Sequence, residues 1–345
     1  MIDLRSDTVT LPPPEMRESI YRAELGDDLY GEDPTVNRLQ ELSAEITGKE
    51  AALLTPSGTM SNIIADMTHC RPGDEVIIGD GHHTMIYEVG APASIAGVTF
   101  RILPLNSDAS YNLDRLEQSI RSASLFEPPT ALIWTENTFA GEGGIVMPLE
   151  ALEKISAVAK KHSIPVFMDG ARVFNAATYL NVEVSEITKH VDTVAFCLTK
   201  GLAAPLGSVL CGPADFILEA RRNRQKLGGG MRQAGLIAAA GIYALENMTV
   251  RLREDHDNAR ALAEGLAEIP GFEVDSSAVQ TNFVVVELSS ERPCRDELID
   301  ALEDGGVLVV PWTKGRIRLV THYGVERADI DKALGVFDRV MKQYA

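Results

Sequence analysis

The clearest helical pattern in the chain lies between residues 34 and 47. Apolar residues recur there at spacings of three and four, at Val36, Leu39, Leu42 and Ile46. This spacing places the apolar side chains on one face of a helix. Asp33 precedes the segment as a capping residue, a proline opens it, and Gly48 follows its end. The pattern therefore predicts a helix over Pro34–Thr47 with one buried face.

Short apolar runs alternate with helical stretches between about residues 51 and 212. Seven of these runs are strand candidates: Ala51–Leu54, Glu75–Ile78, Thr99–Leu103, Ala131–Thr135, Pro165–Met168, Thr193–Leu198 and Ser208–Cys211. Most are continuously apolar, which is typical of strands covered on both faces. Helical intervals such as Leu149–His162 separate several of them. The alternation predicts an α/β fold with a mostly parallel, doubly wound sheet covered by helices.

The pattern changes after about residue 250. Two amphipathic helices, Asp255–Glu268 and Arg327–Tyr344, bracket further strand candidates at Phe272–Asp275, Asn282–Glu287, Val307–Pro311 and Arg316–Thr321. This order is typical of an α+β arrangement. We therefore predict a large domain over residues 1–250, which includes the N-terminal segment, and a small α+β domain over residues 251–345.

The composition and charge of the chain argue against nucleic acid and membranes as partners. The chain has 345 residues and a net charge of −18, which would repel nucleic acid and anionic membranes. It shows neither a signal peptide nor an apolar run long enough to span a bilayer. The four cysteines lie far apart, and buried free thiols in a reducing cytoplasm are expected. The scattered histidines predict no metal site.

A loop at residues 55–59, Thr-Pro-Ser-Gly-Thr, joins a predicted strand to a helix that begins near Met60. A glycine lets the backbone approach an anion closely, and the free N–H groups of a helix N-terminus bind it. Gly58 and Thr59 are therefore candidate phosphate-binding residues. An ordinary helix cap formed by Ser57 or Thr59 explains the same residues.

Two charged residues follow buried strands. Asp169 ends the strand Pro165–Met168, and Lys200 follows the strand Thr193–Leu198. A buried carboxylate needs a partner, and the protonated ring nitrogen of pyridoxal phosphate is one candidate. A lysine among apolar neighbours can become a nucleophile. The alternatives are an ion pair between Asp169 and Arg172 and a surface lysine with a buried stem. The order of phosphate loop, aspartate and lysine favours the cofactor.

The pair His82-His83 follows the strand Glu75–Ile78. An imidazole at this edge of the sheet could stack on a cofactor ring or move protons. An ordinary loop histidine is the alternative.

Several motifs resemble the L-threonine aldolases, which belong to the threonine aldolase and beta-eliminating lyase family. They are Ile2–Thr10, Gly26–Pro34, Pro56–Met60, Asp169–Arg172, Thr199–Leu202, Leu227–Gln233 and Ile317–His322. The resemblance implies a fold-type I, aspartate-aminotransferase-like enzyme that uses pyridoxal 5'-phosphate. The implied reaction is retro-aldol cleavage of L-threonine, L-allo-threonine and related β-hydroxy-α-amino acids to glycine and an aldehyde. A β-eliminating lyase, an aminotransferase and a non-catalytic cofactor binder remain alternatives.

The resemblance also implies roles for individual residues. Catalytic roles fall to Lys200 (the Schiff-base lysine), Asp169 (the partner of the ring nitrogen) and His83 (which stacks on the ring). Further cofactor contacts fall to Gly58, Thr59, Arg172 and Arg232. The residues implied to face the substrate are Ser6, Tyr30, Arg172, Arg318 and Phe139. The family's active site is built across a homodimer interface, and we expect the dimers to pair into a homotetramer.

Phe139 departs from the family pattern. The family usually has Glu-Asn-Thr-His where this chain has Glu136-Asn137-Thr138-Phe139, and that histidine faces the β-hydroxyl of the substrate. A phenyl ring cannot accept a proton. His82 is a second departure, because a small residue is expected before His83. We therefore expect altered discrimination between threonine and allo-threonine, a preference for bulkier side chains, and water polarised by His83 as the base.

Overall fold

The computed structural model describes residues 1–289 and 293–344. Its strands are β1 (Ile2–Asp3), β2 (Ala51–Thr55), β3 (Glu75–Gly79), β4 (Thr99–Leu103), β5 (Thr130–Glu136), β6 (Val166–Asp169), β7 (Thr193–Cys197), β8 (Ser208–Gly212), β9 (Phe272–Glu273), β10 (Phe283–Leu288), β11 (Val307–Leu308), β12 (Val310–Pro311) and β13 (Ile317–Val320). All seven strands predicted between residues 51 and 212 are present, with ends that differ by at most one residue.

The α-helices cover both predicted regions of the chain. They are α1 (Pro14–Tyr21), α2 (Pro34–Thr47), α3 (Gly58–His69), α4 (His83–Ile86), α5 (Leu113–Ser119), α6 (Leu149–Lys161), α7 (Val173–Leu180), α8 (Val184–Thr188), α9 (Ala214–Lys226), α10 (Gly235–Tyr243), α11 (Leu252–Ala267), α12 (Arg295–Asp304) and α13 (Arg327–Lys342). The predicted bounds of α2 are confirmed. Asp33 caps it by accepting hydrogen bonds from the backbone N–H groups of Thr35 and Val36, and Gly48 ends it with φ of 64°.

The large sheet has seven strands in the order β2-β8-β7-β6-β5-β3-β4. The four pairings among β7, β6, β5, β3 and β4 are parallel, and β8 runs antiparallel to both its neighbours. Alternate strand residues enter different cores: Ile133 and Met168 pack with α2, α6 and α7, whereas Leu132 and Phe167 pack with α3 and α9. Helices therefore cover both faces, and the predicted α/β class is confirmed.

A second sheet in the C-terminal part of the chain has the antiparallel order β12-β13-β10-β9. With α11, α12 and α13 it surrounds a separate core that also contains Leu4. Strand β1 pairs in parallel with β11. The first residues of the chain therefore pack with this region and are not part of the large sheet. The domain boundary at residue 250 stays a prediction.

One strand prediction in this region is wrong. Val307–Pro311 is not a single strand, because Val307–Leu308 pairs with β1 whereas Val310–Pro311 pairs with β13. The chain changes partner at Val309, which is buried between the two short strands.

The structure tests the expectation that the cysteines are buried free thiols, and it also shows whether any helix could span a membrane. Cys70, Cys197 and Cys211 are buried free thiols, as predicted. Cys294 is also free, but it is exposed because it lies at the start of α12 on the surface, so the expectation of burial is wrong there. Among the described residues, no helix is both long and apolar enough to cross a bilayer.

Candidate active site

The carboxyl ends of adjacent strands bring the candidate residues to one edge of the large sheet. Asp169 is the last residue of β6 and lies in register with Glu136 of β5 and Ala195 of β7. Lys200 follows β7 in a short 3-10 turn and has φ of 68°. Few residues other than glycine adopt this left-handed conformation, which costs on the order of 1 kcal/mol or more. The fold therefore holds Lys200 at the end of β7, the strand that pairs with β6, at some conformational cost.

Asp169 is buried, and both its carboxylate oxygens accept hydrogen bonds. The backbone N–H of Ala171 donates to Oδ1 at 3.0 Å, and Asn62 donates to Oδ2 at 2.9 Å. The alternative of an ion pair with Arg172 is wrong, because that guanidinium binds another carboxylate. Asp169 is therefore held rigidly with lone pairs left for a further donor.

His83 begins α4 at the same edge, and its ring is half-buried. Its Nδ1 lies 3.0 Å from Oε1 of the buried Glu88. Burial alone would lower the pKa of His83, but the hydrogen bond that the ring donates to Glu88 and the charge of Asp169 outweigh burial and raise this pKa above its usual value. The imidazole therefore keeps its proton to a higher pH than a free histidine.

Glu136 is a buried acid that the sequence analysis did not assign to the site. It accepts hydrogen bonds from the backbone N–H groups of His83, at 2.7 Å, and Ala140, at 3.0 Å. Burial and the nearby charge of Asp169 raise the pKa of Glu136 to about 7. This side chain fixes the start of α4 and hence the position of the His83 ring.

Arg172 is buried against Asp7, which the sequence analysis also left unassigned. The guanidinium donates from Nε to Oδ2 and from Nη2 to Oδ1 of Asp7, both at 2.6 Å. Burial alone would raise the pKa of Asp7, but the charge and hydrogen bonds of Arg172 lower it to about 2. The position of Asp7 directly after Ser6, in a motif of the family, was the available signal.

Arg318 lies between two aromatic rings. Its guanidinium carbon is 4.3 Å from the ring centre of Trp312 and 5.5 Å from that of Phe283. Nη2 donates to the carbonyl of Arg5 at 3.2 Å, and Nε is buried without a partner among the described residues. Ser6 is the next residue after Arg5, so the structure brings Ser6 close to this guanidinium.

Phe139 is buried and packs edge-on against the buried ring of His82, with ring centres 5.6 Å apart. One side of the phenyl ring lines a cavity of about 700 Å³ whose wall also includes Ile86, Tyr87, Leu105 and Trp312. Burial lowers the pKa of His82 to about 3, so this imidazole is neutral. The two departures from the family pattern are therefore direct neighbours beside the cavity.

Gly58 and Thr59 form the first turn of α3. Ser57 caps this helix by accepting from the N–H of Met60, whereas the N–H groups of Gly58 and Thr59 have no acceptor in the part of the chain that the structure describes. A side chain at position 58 would place its Cβ 2.9 Å from Sγ of Cys197, so only glycine fits. The helix therefore offers two free donors at the edge of the sheet.

These residues fit pyridoxal phosphate. The two free N–H donors suit its phosphate, the carboxylate of Asp169 suits a protonated ring nitrogen, and Lys200 supplies a primary amine.

Tyr30 and Arg232 lie away from this group of residues. The side chain of Tyr30 is 76% exposed, and the Arg232 guanidinium lies 6.0 Å from its ring and pairs with Asp27. Within a single chain, the structure does not bring either residue to Asp169 or Lys200.

Comparison with known proteins gives the family. The model of the beta-eliminating lyase family matches residues 3–289. The chain belongs to this family. Among its family relatives, low-specificity L-threonine aldolase 1 of Arabidopsis thaliana is 42% identical over 99% of this chain and 96% of the relative. The low specificity L-threonine aldolase of Escherichia coli K12 is 40% identical over 96% of both chains.

The fold of this family member matches solved structures. A threonine aldolase from Leishmania major superposes with a TM-score of 0.84 and 21% identity, and the match covers 99% of both chains. The comparisons confirm the predicted family, the fold type, the enzyme class of lyase and the cofactor.

Proposed function

We propose that the protein cleaves β-hydroxy-α-amino acids, including L-threonine and L-allo-threonine, to glycine and an aldehyde. The observation that carries this proposal is the meeting of Asp169, Lys200 and His83 at one edge of the sheet. The names of the relatives, low-specificity L-threonine aldolases, support the choice of substrate.

Lys200 would hold pyridoxal phosphate covalently through its amine, and Asp169 would pair with the ring nitrogen. The free N–H groups of Gly58 and Thr59 would bind the phosphate. When bound, the cofactor supplies an electron sink for the electron pair that the broken Cα–Cβ bond leaves behind. Asp169 supports this chemistry because its fixed carboxylate stabilises positive charge at the ring nitrogen.

Arg318 would bind the substrate carboxylate. Its Nε lacks a partner, its planar group suits a carboxylate, and the rings of Trp312 and Phe283 hold it in place. Ser6 and the Nη1 of Arg172 would assist, since Asp7 occupies the other two nitrogens of Arg172. Fixing the carboxylate at several points orients the bond that breaks.

His83 would take up the proton of the β-hydroxyl through a water molecule, because Phe139 has no group that accepts a proton. The imidazole must be neutral for this step, and Glu88 holds Nδ1 so that Nε2 is left for the water. The substrate side chain would enter the cavity beside Phe139, where the apolar part of a wall of mixed polarity favours bulkier groups.

The exposed Tyr30 and Arg232 would serve the active site of a neighbouring subunit, so we include a homodimer, paired further into a homotetramer, in the proposal. A cytoplasmic location is part of it as well, and the four free thiols support a reducing compartment.

A product assay tests the proposed reaction. The purified enzyme is loaded with pyridoxal phosphate and supplied in turn with L-threonine, L-allo-threonine and L-phenylserine. We expect glycine and the matching aldehyde in equal amounts. Pyruvate or another 2-oxo acid with ammonia would identify a β-eliminating lyase and refute the proposal, and no product from any of these substrates would refute it as well.

A further inference from the structure

Asn62 joins two acids of the site through a single amide group. It lies in the first half of α3 and is buried. Its Nδ2 donates to Oε1 of Glu88 at 2.7 Å and to Oδ2 of Asp169 at 2.9 Å. No sequence motif pointed to this residue, because a polar side chain inside a helix has many ordinary explanations.

The two acceptors determine the orientation of the amide. An amide nitrogen carries two protons and so can donate to both carboxylates, whereas the amide oxygen would face two negative charges. The amide oxygen is consistent with this orientation, because Oδ1 of Asn62 is buried and has no partner among the described residues. Both donor bonds of Asn62 are thus given to the acids, and its acceptor is left unused.

Glu88 connects Asn62 to His83. The same Oε1 that accepts from Asn62 lies 3.0 Å from Nδ1 of His83, and Thr84 donates to Oε2 at 3.1 Å. One nitrogen of His83 and one oxygen each of Glu88 and Asp169 all lie within 4.8 Å of one another. A chain of contacts therefore runs from Asp169 through Asn62 and Glu88 to His83.

Other charged or titratable groups surround this chain of contacts: Lys200, Asp66, Glu136, His82 and Tyr87. Asp66 lies one helical turn after Asn62 and is buried, and its carboxyl group has no hydrogen-bond partner among the described residues. Burial and the charge of Glu88 raise the pKa of Asp66 well above its usual value. The amide of Asn62 is the donor that the carboxylates of Glu88 and Asp169 share.

We propose that Asn62 is a positioning residue that fixes Asp169 against the cofactor ring and joins it to Glu88 and His83. This inference rests on the proposed function only in taking Asp169 and His83 as the residues that face the cofactor. Without the amide, the two carboxylates would repel each other, and Asp169 would keep only the hydrogen bond from Ala171.

The test uses the full chain stripped of pyridoxal phosphate and the variant Asn62→Leu, whose side chain is similar in size but cannot donate. We expect the dissociation constant for added pyridoxal phosphate to rise about tenfold or more, as for loss of one hydrogen bond to a charged group. Because the partial positive charge of the amide N–H groups no longer offsets the two carboxylates near His83, the pKa that NMR reports for His83 should rise by about half a pH unit.

Asn223→Leu is the matched control, since Asn223 is a buried asparagine on α9 that bonds Thr68 outside the site. It should leave both values unchanged. If Asn62→Leu does not fold, Asn62→Ser replaces it, because one hydroxyl cannot serve both acids; the same changes are expected at smaller size.

An unchanged His83 pKa in the folded variant overturns the proposal, and so does unchanged binding of pyridoxal phosphate. Failure of the wild-type protein to bind pyridoxal phosphate would instead count against the proposed function. In that case the pKa of His83 alone decides the role of Asn62.

Discussion

Arg172 donates two hydrogen bonds of 2.6 Å to the carboxylate of Asp7, and this pair connects the N-terminal segment to the end of β6. Asn282 of the C-terminal region also donates to Asp7, at 3.1 Å. A single buried carboxylate therefore connects three parts of the chain beside the active site, and the position of Ser6 and Arg5 near Arg318 depends on it.

The first prediction concerns this buried pair. Asp7→Asn should lower the free energy of unfolding at pH 7 by about 3–5 kcal/mol, because Arg172 is left buried without a counter-charge. In the wild type the pKa of Asp7 is lowered on folding, so the ionised pair stabilises the protein above about pH 4, and this stability is lost as the pH falls towards 2. Urea unfolding at pH 7 and pH 3 measures both effects. The exposed Asp296→Asn serves as control, and equal stability of Asp7→Asn and wild type at pH 7 would count against the pair.

Asp169→Asn tests the partner of the ring nitrogen. The amide has nearly the same shape and can still accept from Ala171 or Asn62, so the variant should fold. Loss of the charge should lower kcat by about a hundredfold, or about 3 kcal/mol. Steady-state kinetics on protein of measured cofactor content is the test. Turnover near the wild-type rate would show that Asp169 does not have this role.

Local patterns predicted much of this site because its residues follow strands. Each strand before Asp169, Lys200 and His83 was a short apolar run, and parallel strands bring their carboxyl ends to one edge. Glu136 also follows a predicted strand and was open to the same reasoning, whereas Asp7 and Asn62 lay outside it. Asp7 reaches Arg172 across 165 residues and Asn62 reaches Asp169 across 107, and no local periodicity reports such contacts.

The pH dependence of the reaction tests the role of His83. Glu88 and Asp169 raise the pKa of His83. The neutral imidazole that acts as the base therefore forms at a higher pH than it would for an ordinary histidine. Glu88→Gln removes one negative charge and should move the acidic limb of kcat/KM to lower pH by about one unit. Glu150→Gln, which changes an exposed helix residue, should leave the limb in place. An acidic limb unchanged in Glu88→Gln would exclude His83 as the base.

Phe139 should control the choice between diastereomers. Wild type should discriminate weakly between L-threonine and L-allo-threonine, because the phenyl ring offers the β-hydroxyl no hydrogen bond. Phe139→His should change the ratio of their kcat/KM values about fivefold, roughly 1 kcal/mol. Phe139→Leu keeps the site apolar and should leave the ratio close to wild type. If Phe139→His also leaves it unchanged, the ring only fills space and water supplies the contact.

The short strands β11 and β12 show that sequence patterns alone do not predict which strands pair. A continuous apolar run at residues 307–311 cannot reveal that its two halves pair with β1 and β13. The pairing partner of β1 lies about 300 residues away, and only the tertiary fold selects it.

The position of the cofactor linkage is the most direct test of the central claim, which is that the edge of the sheet at β6 and β7 holds pyridoxal phosphate. The loaded protein is reduced with borohydride, digested and analysed by mass spectrometry. We predict one modified peptide, with the cofactor on Lys200, and its absence from Lys200→Ala. A cofactor fixed to any other lysine in the wild type would contradict the account.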